Sequence, residues 1–271
     1  MMGPLMIAVA PNGARRGKAD HPAIPLTPSE LGIEAARCQE AGASMIHVHV
    51  RDTAGCHSLD PDLYRAATAA IRREAGASLI VQVTTEAVGR YLPDQQIAAM
   101  RTLRPEAFSV ALRELIPDGT FETKASPFLR EQAEREVFVQ YILYDADDVL
   151  RFSELLAREV IPGEGASLLF VLGRYAQGQQ SSPKDLLPFL NASRLELPWS
   201  LCAFGRREAA CAITAACLGG HIRVGFKNNL HLPDGSLARS NASQVHLVAD
   251  AARSLGMTIA SSDAARRLFS R

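Results

Sequence analysis

Eight short apolar runs, several rich in β-branched residues, recur along the chain, and each is followed by a loop and then an amphipathic stretch of helical period. The runs fall at residues 5–10, 45–50, 79–83, 107–111, 138–143, 168–172, 199–203 and 221–225. The helical stretches lie near 28–41, 62–74, 93–103, 127–135, 146–158, 183–190, 207–218 and 241–255, with a short last helix at 262–269. This alternation is the mark of βα units and a parallel sheet. Eight units without a break in composition predict one (β/α)8 barrel domain over residues 1–271, with a long first βα loop at 11–26. A doubly wound open sheet is the alternative, but no G-x-G-x-x-G follows the first run to mark a dinucleotide-binding half.

Local signals agree with the element boundaries. Thr27 before Pro28, with Glu30 three residues after the threonine, reads as an N-cap with a capping box and proline at the first helical position, and Gly42 reads as the residue that ends that helix. Hydrophobic residues make up 47% of the chain, enough for a sizeable core, and 29 basic residues balance 29 acidic ones. A net charge of zero argues against a nucleic-acid or membrane-surface partner held by bulk electrostatics. Five scattered cysteines without a C-x-x-C pair fit free thiols in the cytoplasm. No basic region precedes the short N-terminal apolar run and no run approaches 18 apolar residues, so neither a signal peptide nor a membrane span is expected.

In a barrel the chemistry sits at the carboxyl ends of the strands. The second run, Met45-Ile46-His47-Val48-His49-Val50, ends in Arg51 and Asp52. On a strand, side chains alternate between faces, so His47 and His49 share one face and can present two nitrogens to one divalent metal. The polar residues beyond the other runs complete the candidate set: Asn12 and Arg15, then Thr84, Thr85 and Glu86, then Arg113 and Glu114, Gln140 and Tyr144, the loop at 173–178, and Arg223, Lys227 and Asn228. Each has a plainer reading. Glu86 suits the first turn of a helix, where it meets the dipole, and Arg51 and Asp52 suit a structural ion pair or loop cap. Arg15 and Arg16 are solvated residues, or else a recognition pair for carboxylate or phosphate. His57, His231 and His246 read as loop or helix-surface residues, and His21 as part of a mobile loop.

Five stretches in order, PNGARRGKADHPAIPLTP (11–28), AGASMIHVHVRD (41–52), QVTTEAVGRY (82–91), VQYILYD (139–145) and GGHIRVGFKNNLHLPDG (219–235), give the chain an end-to-end resemblance to the β-keto acid cleavage enzymes, a family of zinc-dependent (β/α)8 barrels. The resemblance implies that a β-keto acid and acetyl-CoA exchange acyl groups, releasing acetoacetate and an acyl-CoA. It implies Zn²⁺ on His47 and His49, with the metal polarising the keto oxygen. It implies that Arg223 assists proton abstraction beside the carboxylate and supports the enolate. Thr84 and Thr85 are expected to hold the substrate carboxylate, Asn12 and Glu86 to bind substrate, and the chain to form a homo-oligomer, a tetramer by the same resemblance.

The chain departs from the family pattern at two positions. Where the family has a glutamate as third zinc ligand this chain has Lys227, and an ammonium has no lone pair to give a metal. Asn228 stands where the family often has an aspartate that works with the arginine. Three readings of Lys227 follow. The metal remains on the two histidines with a substitute oxygen from Glu86, water or substrate; or the ammonium replaces the metal in a pocket that binds an anion, with cleavage altered or lost; or the lysine forms a Schiff base with a keto substrate. A binding protein on a degenerate barrel and a CoA-independent aldolase-like lyase are the alternatives in function. Some relatives carry an acidic residue at the position of Arg15, suited to amino-bearing keto acids, so Arg15 predicts a β-keto dicarboxylate or similarly anionic substrate.

Overall fold

The computed structural model describes residues 3–269. Eight parallel strands close into a barrel in chain order: β1 (Ile7–Val9), β2 (Met45–Val48), β3 (Ile80–Thr84), β4 (Ala107–Ala111), β5 (Phe138–Leu143), β6 (Ala166–Leu172), β7 (Trp199–Ala203) and β8 (His221–Val224), with β8 pairing back onto β1. The (β/α)8 barrel therefore holds, and the open sheet does not.

Alternation along the strands divides the molecule radially. Outward residues such as Ile46, Val48, Val81, Val83, Phe108, Val110, Ile222 and Val224 join the core under the helices. Inward residues stack along the barrel axis. Met6, Met45, Ile80, Ala107 and Phe138 form an apolar floor together with Ala265 and Phe269 of the C-terminal helix (Ser262–Phe269). His47, Gln82, Ser109, Gln140, Ser167, Ser200 and Arg223, all buried, lie between the floor and an apolar upper wall of Ala111, Ile142, Leu169, Val171, Cys202 and Phe204. The alternation thus leaves a polar layer across the middle of the barrel.

Helix α1 (Pro28–Ala41) starts and stops as the local chemistry dictates. The Thr27 hydroxyl accepts from the Glu30 amide, Glu30 returns to the Thr27 amide, and Gly42 closes the end with φ of 119°. Other boundaries differ from the sequence expectation. Strand β2 ends at Val48, and Val50–Arg51 instead pairs antiparallel with His57–Ser58 in a small ribbon. The helix after β4 spans Glu122–Glu134 with Pro127 inside it, where the proline suggested a start; burial of Ala125, Phe128 and Leu129 on one face outweighs the one lost backbone bond. The sixth helix divides into a 3₁₀ turn, Pro183–Leu186, and a short α-helix, Leu187–Ala192.

The first loop is packed, not mobile as expected. His21 is 6% exposed and its ring lies 4.5 Å from that of Phe226, beside Ile24 and Ala238. Arg51 does not pair with Asp52; its guanidinium donates to the carbonyls of Gly13, Ala14, Arg16 and Gly55 and so ties the loop down. Asp52 caps its own turn through the amides of Ala54 and Cys56. Among the described residues all five cysteines are free, and no helix is long and apolar enough to cross a membrane.

Candidate active site

His47 and His49 are fully buried and their Nε2 atoms stand 3.2 Å apart, so both imidazoles converge as the alternation predicts. The His47 ring is oriented from behind, whereas the Nδ1 of His49 is buried without a partner. The Nδ1 of His47 meets Gln82 Oε1 at 2.8 Å, and the chain continues from Gln82 Nε2 to Gln140 Oε1 (3.3 Å) and from Gln140 Nε2 to Ser200 Oγ (3.4 Å). This network makes Nδ1 of His47 the protonated nitrogen and leaves its Nε2 with a lone pair. The His49 backbone is held by Asn12, whose Oδ1 accepts the His49 amide at 3.1 Å and whose Nδ2 donates to the His49 carbonyl at 3.0 Å.

The point on which the imidazoles converge holds the Lys227 ammonium. Its Nζ lies 2.7 Å from His49 Nε2, 3.2 Å from His47 Nε2 and 2.9 Å from Glu86 Oε2. Three protons meet three acceptors. Arg15 Nη1 takes the other oxygen of Glu86 at 3.2 Å, and His57 Nε2 lies 2.9 Å from the Glu86 carbonyl oxygen. Burial would raise the Glu86 carboxyl, but the adjacent Lys227 charge, then Arg15 and His57, outweigh it and hold the group at about 2. Burial, and next the Lys227 charge, push both His47 and His49 well below the usual histidine range, so the pair is neutral. Burial also lowers Lys227, against the opposing pull of Glu86.

Lys227 reaches this point because its loop is tightly fixed. Its amide donates to the Ala10 carbonyl at 3.1 Å, and Gly225 before it has φ of 134°, where a Cβ would collide with the Ala10 carbonyl oxygen. Phe226 donates its amide to Asn241 Oδ1 at 2.7 Å, and Gly225 donates to the buried Glu208 carboxyl at 3.2 Å. Gly13 of the first loop covers the lysine stem so closely that a Cβ there would stand 3.1 Å from Lys227 Cγ.

Beside the ammonium opens a cavity of about 110 Å³. Its charged lining is Arg15, Arg16, Arg174, Arg223 and Lys227 against the single carboxylate Glu86, and its apolar wall includes Ile142, Val171 and Phe204. Arg223 is 2% exposed and donates through Nη2 to Cys202 Sγ at 3.0 Å, while its Nε and Nη1 are buried without a partner. Asn228 Nδ2 reaches the same sulfur at 3.8 Å, and its Oδ1 is unpartnered.

The structure thus brings together His47, His49, Glu86, Arg15, Arg223, Lys227 and Asn228, with Asn12 directly behind His49. It does not bring the two threonine hydroxyls to the cavity lining: Thr84 Oγ1 accepts the Glu86 amide at 3.0 Å and Thr85 Oγ1 donates to the Ser109 carbonyl at 3.1 Å. His57 is a correction, since it is buried, not a surface residue, with its ring 5.1 Å from that of His49. Gln82, Cys202 and Glu208 carry little signal of their own, because each sits in an otherwise ordinary apolar run or helix start; the alternation that aligns the histidines is the signal that places Gln82 and Cys202 on the inner face.

The donor set can be weighed against zinc. Two Nε2 lone pairs aimed at one point suit a divalent metal, but the third direction carries protons, and both Glu86 oxygens are taken by Lys227 and Arg15. Among the described residues no three His, Cys, Asp or Glu side chains converge to hold a metal ion. A metal does not fit beside the Lys227 ammonium in this arrangement.

The sequence and the fold both have known counterparts. The chain is 31% identical to a 3-keto-5-aminohexanoate cleavage enzyme of Fusobacterium nucleatum, across 100% of this chain and 99% of that protein. It is 29% identical to a 3-oxoadipate:acetyl-CoA acetyltransferase of Cupriavidus necator, across 99% and 95% of the two chains. The apo structure of ObcA superposes with a TM-score of 0.72 at 18% identity, over 92% of this chain and 65% of that one, a likeness of fold. The family model for beta-keto acid cleavage enzymes matches residues 4–270, and the chain belongs to that family.

Proposed function

We propose that the mouth cavity binds an anionic β-keto acid, a β-keto dicarboxylate or close analogue, and exchanges its acyl group with acetyl-CoA. The bond between C2 and the C3 carbonyl of the keto acid breaks, C2 becomes bonded to the acetyl carbon, and the CoA sulfur passes from the acetyl group to the remaining acyl group. Acetoacetate and a new acyl-CoA leave, with no net gain or loss of electrons. The observation that carries this reading is the Arg223 guanidinium, buried at the cavity with Nε and Nη1 unpartnered. A buried cation with free donors costs free energy unless an anion completes it. An enolate forming beside a carboxylate is such an anion, and a pre-set guanidinium stabilises the developing charge without reorganisation.

The other residues take roles around it. Cys202 and Asn228 position Arg223 through the shared sulfur contacts. Asn12 positions His49. Thr84 and Thr85 hold the segment that carries Glu86, and bind the substrate carboxylate only if their present bonds open. Arg15 and Arg174 are the candidates for a second carboxylate, which is the basis for preferring a dicarboxylate. The family's resident cation is Zn²⁺ by resemblance, and the donor set leaves it no room beside Lys227. A cytoplasmic homo-oligomer is part of the same reading, and light scattering on the purified chain reads its size.

Turnover decides the substrate. Acetoacetate and acyl-CoA are quantified with a β-keto dicarboxylate and with an amino-substituted β-keto acid, each with and without acetyl-CoA. Preference for the dianion and strict need for acetyl-CoA are expected. Preference for the amino-bearing acid refutes the substrate class, and cleavage without acetyl-CoA makes the protein a lyase.

A further inference from the structure

We propose that the Lys227 ammonium is this chain's built-in replacement for the divalent cation of the family, so that the site binds and activates its anionic keto acid without a metal. The inference rests on the proposed function for the identity of the anion, but not for the identity of the cation.

The geometry around Nζ is that of a cation site. Two imidazole lone pairs 3.2 Å apart, with the Glu86 carboxylate oxygen 3.7 Å from His49 Nε2, repel one another in a buried place unless positive charge lies between them. The ammonium sits there and its three protons satisfy all three acceptors, at 2.7, 2.9 and 3.2 Å. Around Nζ itself no proton or acceptor is left over, and the one unpartnered atom of the two imidazoles is His49 Nδ1 on the far side of its ring.

The surroundings fit this occupant and not a chance excursion of a flexible side chain. The backbone of Lys227 is bonded to Ala10, its Cγ is covered by Gly13 so closely that a Cβ there would stand 3.1 Å from it, and the turn before it requires the positive φ of Gly225. These three constraints fix where the stem starts and which way it runs. Arg15 on the second Glu86 oxygen and the free Arg223 donors add charge on the cavity side. Arg15, Arg16, Arg174, Arg223 and Lys227 face the cavity against the single carboxylate Glu86, a clear excess of positive charge. Such an excess of fixed positive charge suits a ligand with more than one negative charge, as a dicarboxylate has.

The test counts metal and does not depend on turnover. The wild type is produced in zinc-supplemented medium, purified without chelator and measured by elemental mass spectrometry alongside Lys227→Glu and Lys227→Glu combined with His47→Ala and His49→Ala. The expected result is well under about 0.1 zinc per chain for the wild type, about one for Lys227→Glu, and loss of that zinc in the triple variant. About one zinc per wild-type chain, removed by the two histidine substitutions, overturns the proposal. If Lys227→Glu does not fold, the wild-type count decides alone. Borohydride trapping of wild type with a β-keto acid is a second route to refutation, because a lysine adduct would mean that the nitrogen serves as an imine and not as a fixed cation. A metal-free wild type that turns over no β-keto acid leaves the cation assignment standing and refutes the proposed function instead.

Discussion

Two cavities lie at opposite ends of the barrel, and the larger of these two is not the one equipped for chemistry. The floor cavity, about 490 Å³, is lined by Ile80, Phe138 and Phe269 with Glu106, Glu136, Glu164 and Arg266 around its rim. The mouth cavity measures about 110 Å³. At the mouth, Arg223 lies buried with donors unpaired and Lys227 is gripped by three acceptors. At the floor the charges are partly exposed, as in the Arg266–Glu106 pair at 2.6 Å with side chains 33% and 34% exposed, and the apolar surfaces face each other, as in the Phe138–Phe269 stack at 3.6 Å. Buried polar groups held open at a cost mark function better than volume does, because folding alone gives no reason to keep them.

The comparison can be broken in several ways. The largest expected effect is on stability beneath the mouth. Burial raises the Glu208 carboxyl to about 8, although Asn229, the Gly225 amide, Arg223 and Arg16 oppose it. A carboxyl raised in the folded state binds its proton more tightly there than when unfolded. Its contribution is therefore full below the unfolded value near 4.5 and is lost as pH rises through about 8. The shift corresponds to at most about 5 kcal/mol across that window. Denaturant titrations from pH 4.5 to 8 should show this slope in the wild type and a flatter one in Glu208→Gln.

Next comes Arg223→Met, which should lower kcat/KM by about 100- to 1000-fold, as for loss of a preset charge-stabilising donor. Its stability should hold or rise, since an unpaired buried charge is removed; a large loss of stability with unchanged turnover would make Arg223 structural. Phe138→Ala at the floor should do the reverse, costing about 3 kcal/mol of stability through the lost stack and burial while leaving kcat per folded molecule unchanged. Smallest is Gly13→Ala, where a Cβ 3.1 Å from Lys227 Cγ forces the stem to shift by a few tenths of an ångström. About a tenfold drop in kcat/KM is expected, with stability changed by about 1 kcal/mol.

Most of the scaffold can be read from periodicity, because a period of two or of 3.6 survives any detail of packing. Thr27 and Gly42 carry their capping chemistry in their own side chains or lack of one. The break of β2 after Val48 cannot be read that way: the apolar run continues to Val50, and only pairing with His57–Ser58 turns it aside. The burial of His21 and His57 is illegible for a related reason, since it depends on Phe226 and on Glu86 and Tyr91, which are remote in sequence. The candidate site is legible where a motif carries the chemistry, as in His47 and His49, and where a residue breaks the family pattern, as at Lys227. It is illegible where a residue acts through a neighbour. Nothing about Gln82 or Cys202 within its own strand announces a bond to His47 or Arg223.

The most direct measurement is calorimetric titration of a β-keto dicarboxylate into wild-type protein held in chelator, with Arg223→Met and Phe138→Ala beside it. Saturable binding by the wild type and Phe138→Ala, and none by Arg223→Met, is the predicted result. Binding that needs added zinc, or that is lost with Phe138→Ala in its folded state and survives Arg223→Met, would contradict an anion site built at the mouth from the protein's own cations.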